Sequence, residues 1–216
     1  LWTDQPMIYV GTYPKPVGRR AGYLSQDAWP VWNYDKEGDT IRVVCYTNAP
    51  KARLELNGRT IGMEKTYDDS TGIIYWDIPY QAGKLEAIGL DVTGREVSRY
   101  AIESSDRPYA ITITEDVAEV SKNKGLARIV LQVTDERGSP VKLSDDEITC
   151  HVSVPVRLRG LEAGNNHDMS DYTDNKHRVY HGRMVAYIQA TGEAGKAVVS
   201  FTSPWLKNAK TEVDVR

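Results

Sequence analysis

The chemistry open to this sequence lies in a few flat aromatic rings and in one oxygen-rich loop. Trp29 and Trp32, in the run WPVW, and Trp205, just after Ser203-Pro204, carry indoles on which the apolar face of a pyranose could stack. The competing reading is that Trp29 and Trp32 cap the open end of a β-sandwich or seal it to a neighbouring domain. Trp76, inside IIYWDI, is expected in a core or interface. The second concentration is the loop around Asn165, Asn166, His167, Asp168, Asp171 and Asp174, with Tyr172 among them. So many oxygen donors close in sequence could hold a hard cation such as Ca²⁺, but the run lacks the spacing of a calcium loop. A solvated loop is the plain reading of this run; Asn165, His167, Asp168 and Tyr172 are kept as candidates for contacts with a neighbouring domain or subunit that shape an active-site rim. His167, His177 and His181 show no HExxH or other zinc spacing, and GEAGKA at 192–197 falls short of a phosphate loop. No metal and no cofactor is expected.

These residues need elements to position them, and the hairpin at residues 47–62, TNAPKARLELNGRTIG, shows what kind. Ala52, Leu54 and Leu56 alternate with Lys51, Arg53 and Glu55, the period of a half-buried strand. Asn57-Gly58 then supplies the two positive-φ positions of a type I′ turn. A strand pair with one apolar face must find a second sheet to cover it. Similar runs follow about every ten residues: IRVVCYTN, GIIYWDIPY, LEAIGLDV and EVSRYAIES, then YAITITED, ARIVLQVTDERGSPV, ITCHVSVPVRLRG, MVAYIQAT, AVVSFTSP and TEVDVR. Turn residues separate them, and no segment keeps a helical period. The expectation is an all-β protein of two tandem immunoglobulin-like β-sandwiches.

A chain of 216 residues has room for two such domains of about 100 residues each. Residues 104–108, Ser-Ser-Asp-Arg-Pro, are polar and end in proline, which places the first sandwich at 24–105 and the second at 106–216. Residues 1–23, with the basic connector PKPVGRRAG, read as the end of an upstream unit and a linker. Residues 160–182 read as one long loop. With 27 Lys+Arg against 30 Asp+Glu and a pI near 5.9, no field draws in nucleic acid. No apolar run reaches the ~20 residues of a membrane helix. Thirteen Tyr and five Trp against one Phe favour rings with a polar tip, in keeping with a periplasmic or extracellular protein. Cys45 and Cys150 read as buried free thiols, since a disulfide would have to join separate domains.

Several of these stretches resemble the region that follows the catalytic barrel in glycoside hydrolase family 2 enzymes of β-galactosidase type, as in Bacteroidetes. The resemblance rests on WPVWNY, on VVCYTNAPKARLELNGRTIG, and on Trp76-Asp77-Ile78-Pro79-Tyr80 followed by QAGKLEAIGLDVTGRE. In the second half it rests on Gly160, Gly164-Asn165, Asp168, Tyr172, Arg178 and Tyr180-His181-Gly182, and LWTDQPMI is similar to the segment that closes the barrel. Such enzymes use a retaining pair of carboxylates at the ends of barrel strands. The acid/base of the family follows an Asn, and this sequence has no Asn-Glu dipeptide. The resemblance thus implies a non-catalytic C-terminal region that supports the barrel, makes oligomer contacts or positions a glycan. The alternatives are a dedicated carbohydrate-binding module, or an adhesion-type tandem with a protein partner.

Overall fold

The computed structural model describes residues 4–18, 24 and 28–216. Residues 1–3 of LWTDQPMI and the RRAG end of the basic connector lie outside the described residues. The chain divides into two units, Leu1–Ser104 and Ser105–Arg216, each a pair of β-sheets around its own core.

In the first unit a three-stranded sheet is formed by β1 (Ile8–Pro14), β2 (Thr40–Thr47) and β5 (Ile74–Pro79), in the order β1-β2-β5. A four-stranded sheet holds β3 (Lys51–Leu56), β4 (Arg59–Thr66), β6 (Lys84–Leu90) and β7 (Glu96–Glu103), in the order β4-β3-β6-β7. All pairings are antiparallel. The chain passes from one sheet to the other between β2 and β3, between β4 and β5, and between β5 and β6. Alternation sets the faces: Ala52, Leu54 and Leu56 of β3 are buried and meet Val43, Cys45, Trp76 and Ile78 of the opposite sheet in one cluster.

One sequence-based reading changes here. The sequence reads residues 1–23 as an upstream unit and linker, yet Ile8–Pro14 form β1, in register with β2 from Ile8↔Thr47 to Pro14↔Ile41. Ile8 and Val10 belong to the first core, so the sandwich begins well before residue 24. β2 is buried on both faces from Ile41 to Cys45, Arg42 and Val44 included. Arg42 is kept charged in that position by Asp77, which accepts from its Nε at 2.7 Å and its Nη2 at 2.9 Å, while Lys15 lies 3.1 Å away on the same carboxylate. The guanidinium also stacks over Tyr75, 4.8 Å from the ring centre.

The β3–β4 turn does more than reverse the chain. Asn57 has φ 52° and Gly58 φ 75°, as a type I′ turn requires. The Asn57 amide then reaches across to the β5–β6 turn, donating to the Ala82 carbonyl at 3.1 Å and accepting from the Lys84 N–H at 2.9 Å. Its place is kept open by Gly83, at φ 134°, where a Cβ would overlap the amide.

The second unit packs β8 (Ala110–Glu115), β10 (Leu126–Thr134), β12 (Val156–Glu162) and β14 (Arg183–Ala190), in the order β12-β14-β10-β8, against a five-stranded sheet. That sheet contains β9 (Glu119–Val120), β11 (Glu147–Val152), β13 (Lys176–Arg178), β15 (Gly195–Thr202) and β16 (Ala209–Val215), in the order β13-β11-β15-β16-β9. Its core runs from Ile129 and Leu131 through Met184, Ala186 and Ile188 to Val199, Phe201 and Val213. The long loop read at 160–182 is interrupted: β12 continues to Glu162, and Lys176–Arg178 pair with β11. Cys45 and Cys150 are free thiols buried in different units, and burial pushes both up to about 12. Among the described residues no helix is long and apolar enough to cross a membrane.

Candidate functional site

The loop from β12 to β13 joins the edge strands of the two sheets of the second unit. It begins at a bulge in β12, where the register with β14 shifts between Leu158 and Gly160. Past the bulge, the chain of the loop returns over β12, and the Leu161 N–H donates to the Tyr172 carbonyl at 2.8 Å. The crossing is close because residue 160 is glycine: a Cβ there would stand 2.7 Å from the Tyr172 oxygen. The Tyr172 ring is thereby held at the surface beside β12. Its hydroxyl donates to the Asp168 carbonyl at 3.2 Å, and its ring lies 5.5 Å from that of His177.

The many carboxylates and amides of this loop are spent on its own backbone. Asn165 accepts from the His167 N–H, Asp168 from the Ser170 N–H, and Asp171 from the N–H and hydroxyl of Thr173. These short-range bonds are what Asn and Asp offer a turn. They hold the Asp168 carboxyl below its ordinary range, the Ser170 bonds first and the nearby His177 adding to them. Among the described residues no three His, Cys, Asp or Glu side chains converge to hold a metal. His177 projects from β13 into the protein and is 4% exposed; its Nδ1 faces Ser170 Oγ at 3.2 Å. Its Nε2 lies 3.2 Å from Asp168 Oδ2, off the line of a hydrogen bond. The Ser170-His177-Asp168 grouping thus looks like a nucleophilic triad in composition only. A ring this buried cannot hand a proton to a substrate, and the group serves to fix the loop.

Beside the loop lies a groove of about 510 Å³ on the outer face of the four-stranded sheet, lined by Leu126, Arg159, Gly160, Leu161, Glu162, Tyr172, Tyr187 and Gln189. Strand alternation explains the wall: Met184, Ala186, Ile188 and Ala190 of β14 turn inward, which turns Tyr187 and Gln189 outward. The Gln189 amide is fixed by accepting from Arg157 at 3.0 Å and donating to the Lys124 carbonyl at 3.2 Å.

Of the residues singled out from the sequence, Tyr172 enters this groove, while Asn165, His167 and Asp168 form the turns behind it. Trp32 is a correction. It is fully buried, donates from Nε1 to the Gln81 carbonyl at 3.0 Å, and packs edge-on against Tyr80 with ring centres 5.2 Å apart, so it cannot meet a sugar. Trp29 is 45% exposed at the free edge of β1, where its backbone pairs with Thr12, and Trp205 is 85% exposed in the β15–β16 turn. These two belong to different units. Tyr187, Arg159 and Glu162 were missed. A tyrosine on the polar face of MVAYIQAT was the available signal.

Residues 111–212 match the glycoside hydrolase family 2 C-terminal domain 5, and residues 38–98 match a domain of unknown function, DUF4982. The chain is 26% identical to the β-galactosidase BoGH2A of Bacteroides ovatus, across 96% of this chain and 25% of that protein. It is 25% identical to a putative β-glucuronidase of Formosa agariphila, across 92% of this chain and 18% of that protein. Among solved structures, a β-glycosidase from Bacteroides vulgatus superposes with a TM-score of 0.84 at 30% identity, across 99% of this chain and 25% of that one. A family 2 glycosyl hydrolase from Bacteroides cellulosilyticus shares the fold, with a TM-score of 0.87 at 21% identity, and this chain covers 29% of it. The class is therefore a tandem of immunoglobulin-like sandwiches of the kind these glycosidases carry. More narrowly, the chain is a C-terminal segment of glycoside hydrolase family 2, spanning about a quarter of the length of the β-galactosidase relative.

Proposed function

We propose that the parent of this chain is a β-galactosidase-like hydrolase of O-glycosidic bonds, and that these residues are its non-catalytic C-terminal region, buttressing the upstream catalytic barrel. The observation that carries this reading is the match of almost the whole chain to a quarter of a β-galactosidase. A retaining glycosidase needs two carboxylates about 5 Å apart, held to within a fraction of an ångström. Two sandwiches with separate cores offer stiff surfaces against which a barrel can be held, and that is the work assigned to them here. Contacts between copies of the parent belong to the same role, and the parent is placed in the periplasm or outside the cell.

The test removes this region from the parent. The shortened enzyme is expected to melt at a lower temperature and to lose turnover on nitrophenyl β-galactoside. Unchanged melting and unchanged turnover would show that the region buttresses nothing. Fractionation of cells producing the whole protein checks the compartment.

A further inference from the structure

We infer that the groove between Tyr172 and Tyr187 binds a neutral pyranose of an oligosaccharide. Its volume, about 510 Å³, falls within the range of small-ligand sites, roughly 300–1,000 Å³. Two tyrosines reach it from independently built elements, Tyr187 from the outward face of β14 and Tyr172 from the pinned loop. Leu126, 60% exposed at the start of β10, adds an aliphatic patch. Such rings and patches match the C–H face of a sugar; the Tyr172 hydroxyl is already given to the Asp168 carbonyl, which leaves that of Tyr187 for the sugar's polar rim.

The polar groups narrow the ligand further. Arg159 and Glu162 both line the groove, and neither forms an ion pair with another described residue. A guanidinium offers only donors and a carboxylate only acceptors, so together they satisfy neighbouring hydroxyls, each of which is donor and acceptor at once. Their opposite charges leave neither sign alone in the groove, so the ligand inferred is neutral. The fixed Gln189 amide forms part of the wall. Gly160 leaves the floor free of a side chain, and it is also the residue that lets Tyr172 sit where it does.

This inference goes beyond the proposed function and needs no catalytic domain, so its failure would leave the parent's activity unaffected. The amide NMR spectrum of the 216-residue chain is followed on titration with lactose, cellobiose or sodium glucuronate. Lactose or cellobiose is expected to shift the amides of Gly160, Leu161, Tyr172 and Tyr187, with a Kd of roughly 1 mM. Tyr187→Ala and Arg159→Ala should each weaken binding about tenfold with the melting temperature unchanged, since both side chains stand outside the core. The inference is overturned if none of the three sugars moves these amides, if the shifts cluster instead around Trp29 or Trp205, or if glucuronate alone binds. It is also overturned if the groove residues are instead required for binding the parent's catalytic portion, which would make this face a protein interface.

Discussion

The Asn57 amide and the missing side chain of Gly83 form a lock between two turns, and its energetics can be worked out in advance. Gly83→Ala introduces a Cβ where the amide now lies and places alanine at φ 134°, a conformation that L residues rarely adopt. The overlap is relieved by swinging Asn57 out, at the loss of its bonds to the Ala82 carbonyl and the Lys84 N–H. Each such bond contributes about 1 kcal/mol net, so their loss costs about 2 kcal/mol. The strained φ adds roughly 1–2 kcal/mol, for a total near 3–4 kcal/mol. Asn57→Gly preserves the positive φ and removes only the two bonds, at about 2 kcal/mol. In the double variant the bonds are already gone and only the strain is added, so it should be no less stable than Gly83→Ala alone. The coupling between the sites is then about 2 kcal/mol, opposite in sign to the single effects. Urea unfolding followed by tryptophan fluorescence suits the measurement, because four of the five tryptophans, Trp2, Trp29, Trp32 and Trp76, precede residue 105. Strictly additive effects would refute the lock.

Two further outcomes rest on buried groups. The Arg42 bond, with help from Lys15, holds the Asp77 carboxyl below the ordinary carboxylate range. Its stabilisation is present above the unfolded value of about 4 and is lost as pH falls through the lower folded value. Asp77→Asn should therefore cost roughly 3 kcal/mol at pH 7, by leaving Arg42 buried without its anion, and flatten the acid limb of the stability profile. An acid limb identical to wild type would contradict this. Cys45 and Cys150, with thiols near 12, are thiolate at about one part in ten thousand at pH 8. A disulfide-exchange reagent should label neither in the native chain and both in denaturant; rapid native labelling would contradict their burial.

How much of this was legible depended on whether the information was local. The β3–β4 hairpin could be read because alternation and Asn57-Gly58 are both local signals. The tie from Asn57 to the β5–β6 turn could not, since it joins residues 25 and 27 positions apart. β1 was hidden by Pro6 and Pro14 at its flanks, which read as connector residues although proline is tolerated at the ends of strands. β13 is only Lys-His-Arg, too short and too polar to show a period. Trp29 and Trp32 had the same sequence signal, and only the closure of the first core separates the half-exposed ring from the buried one. The groove draws on three strands and a loop, so no single stretch contains it. Its one visible trace was a tyrosine at an outward position of β14.

Under the proposed function, the sandwiches carry no glycosidase chemistry and the catalytic carboxylates lie elsewhere in the parent. The most direct measurement is hydrolysis of nitrophenyl β-galactoside and nitrophenyl β-glucuronide by the pure, folded 216-residue chain, alongside the whole parent. Turnover is expected from the parent and none above background from the chain. Turnover by the chain itself, abolished by a single carboxylate substitution within it, would contradict the account.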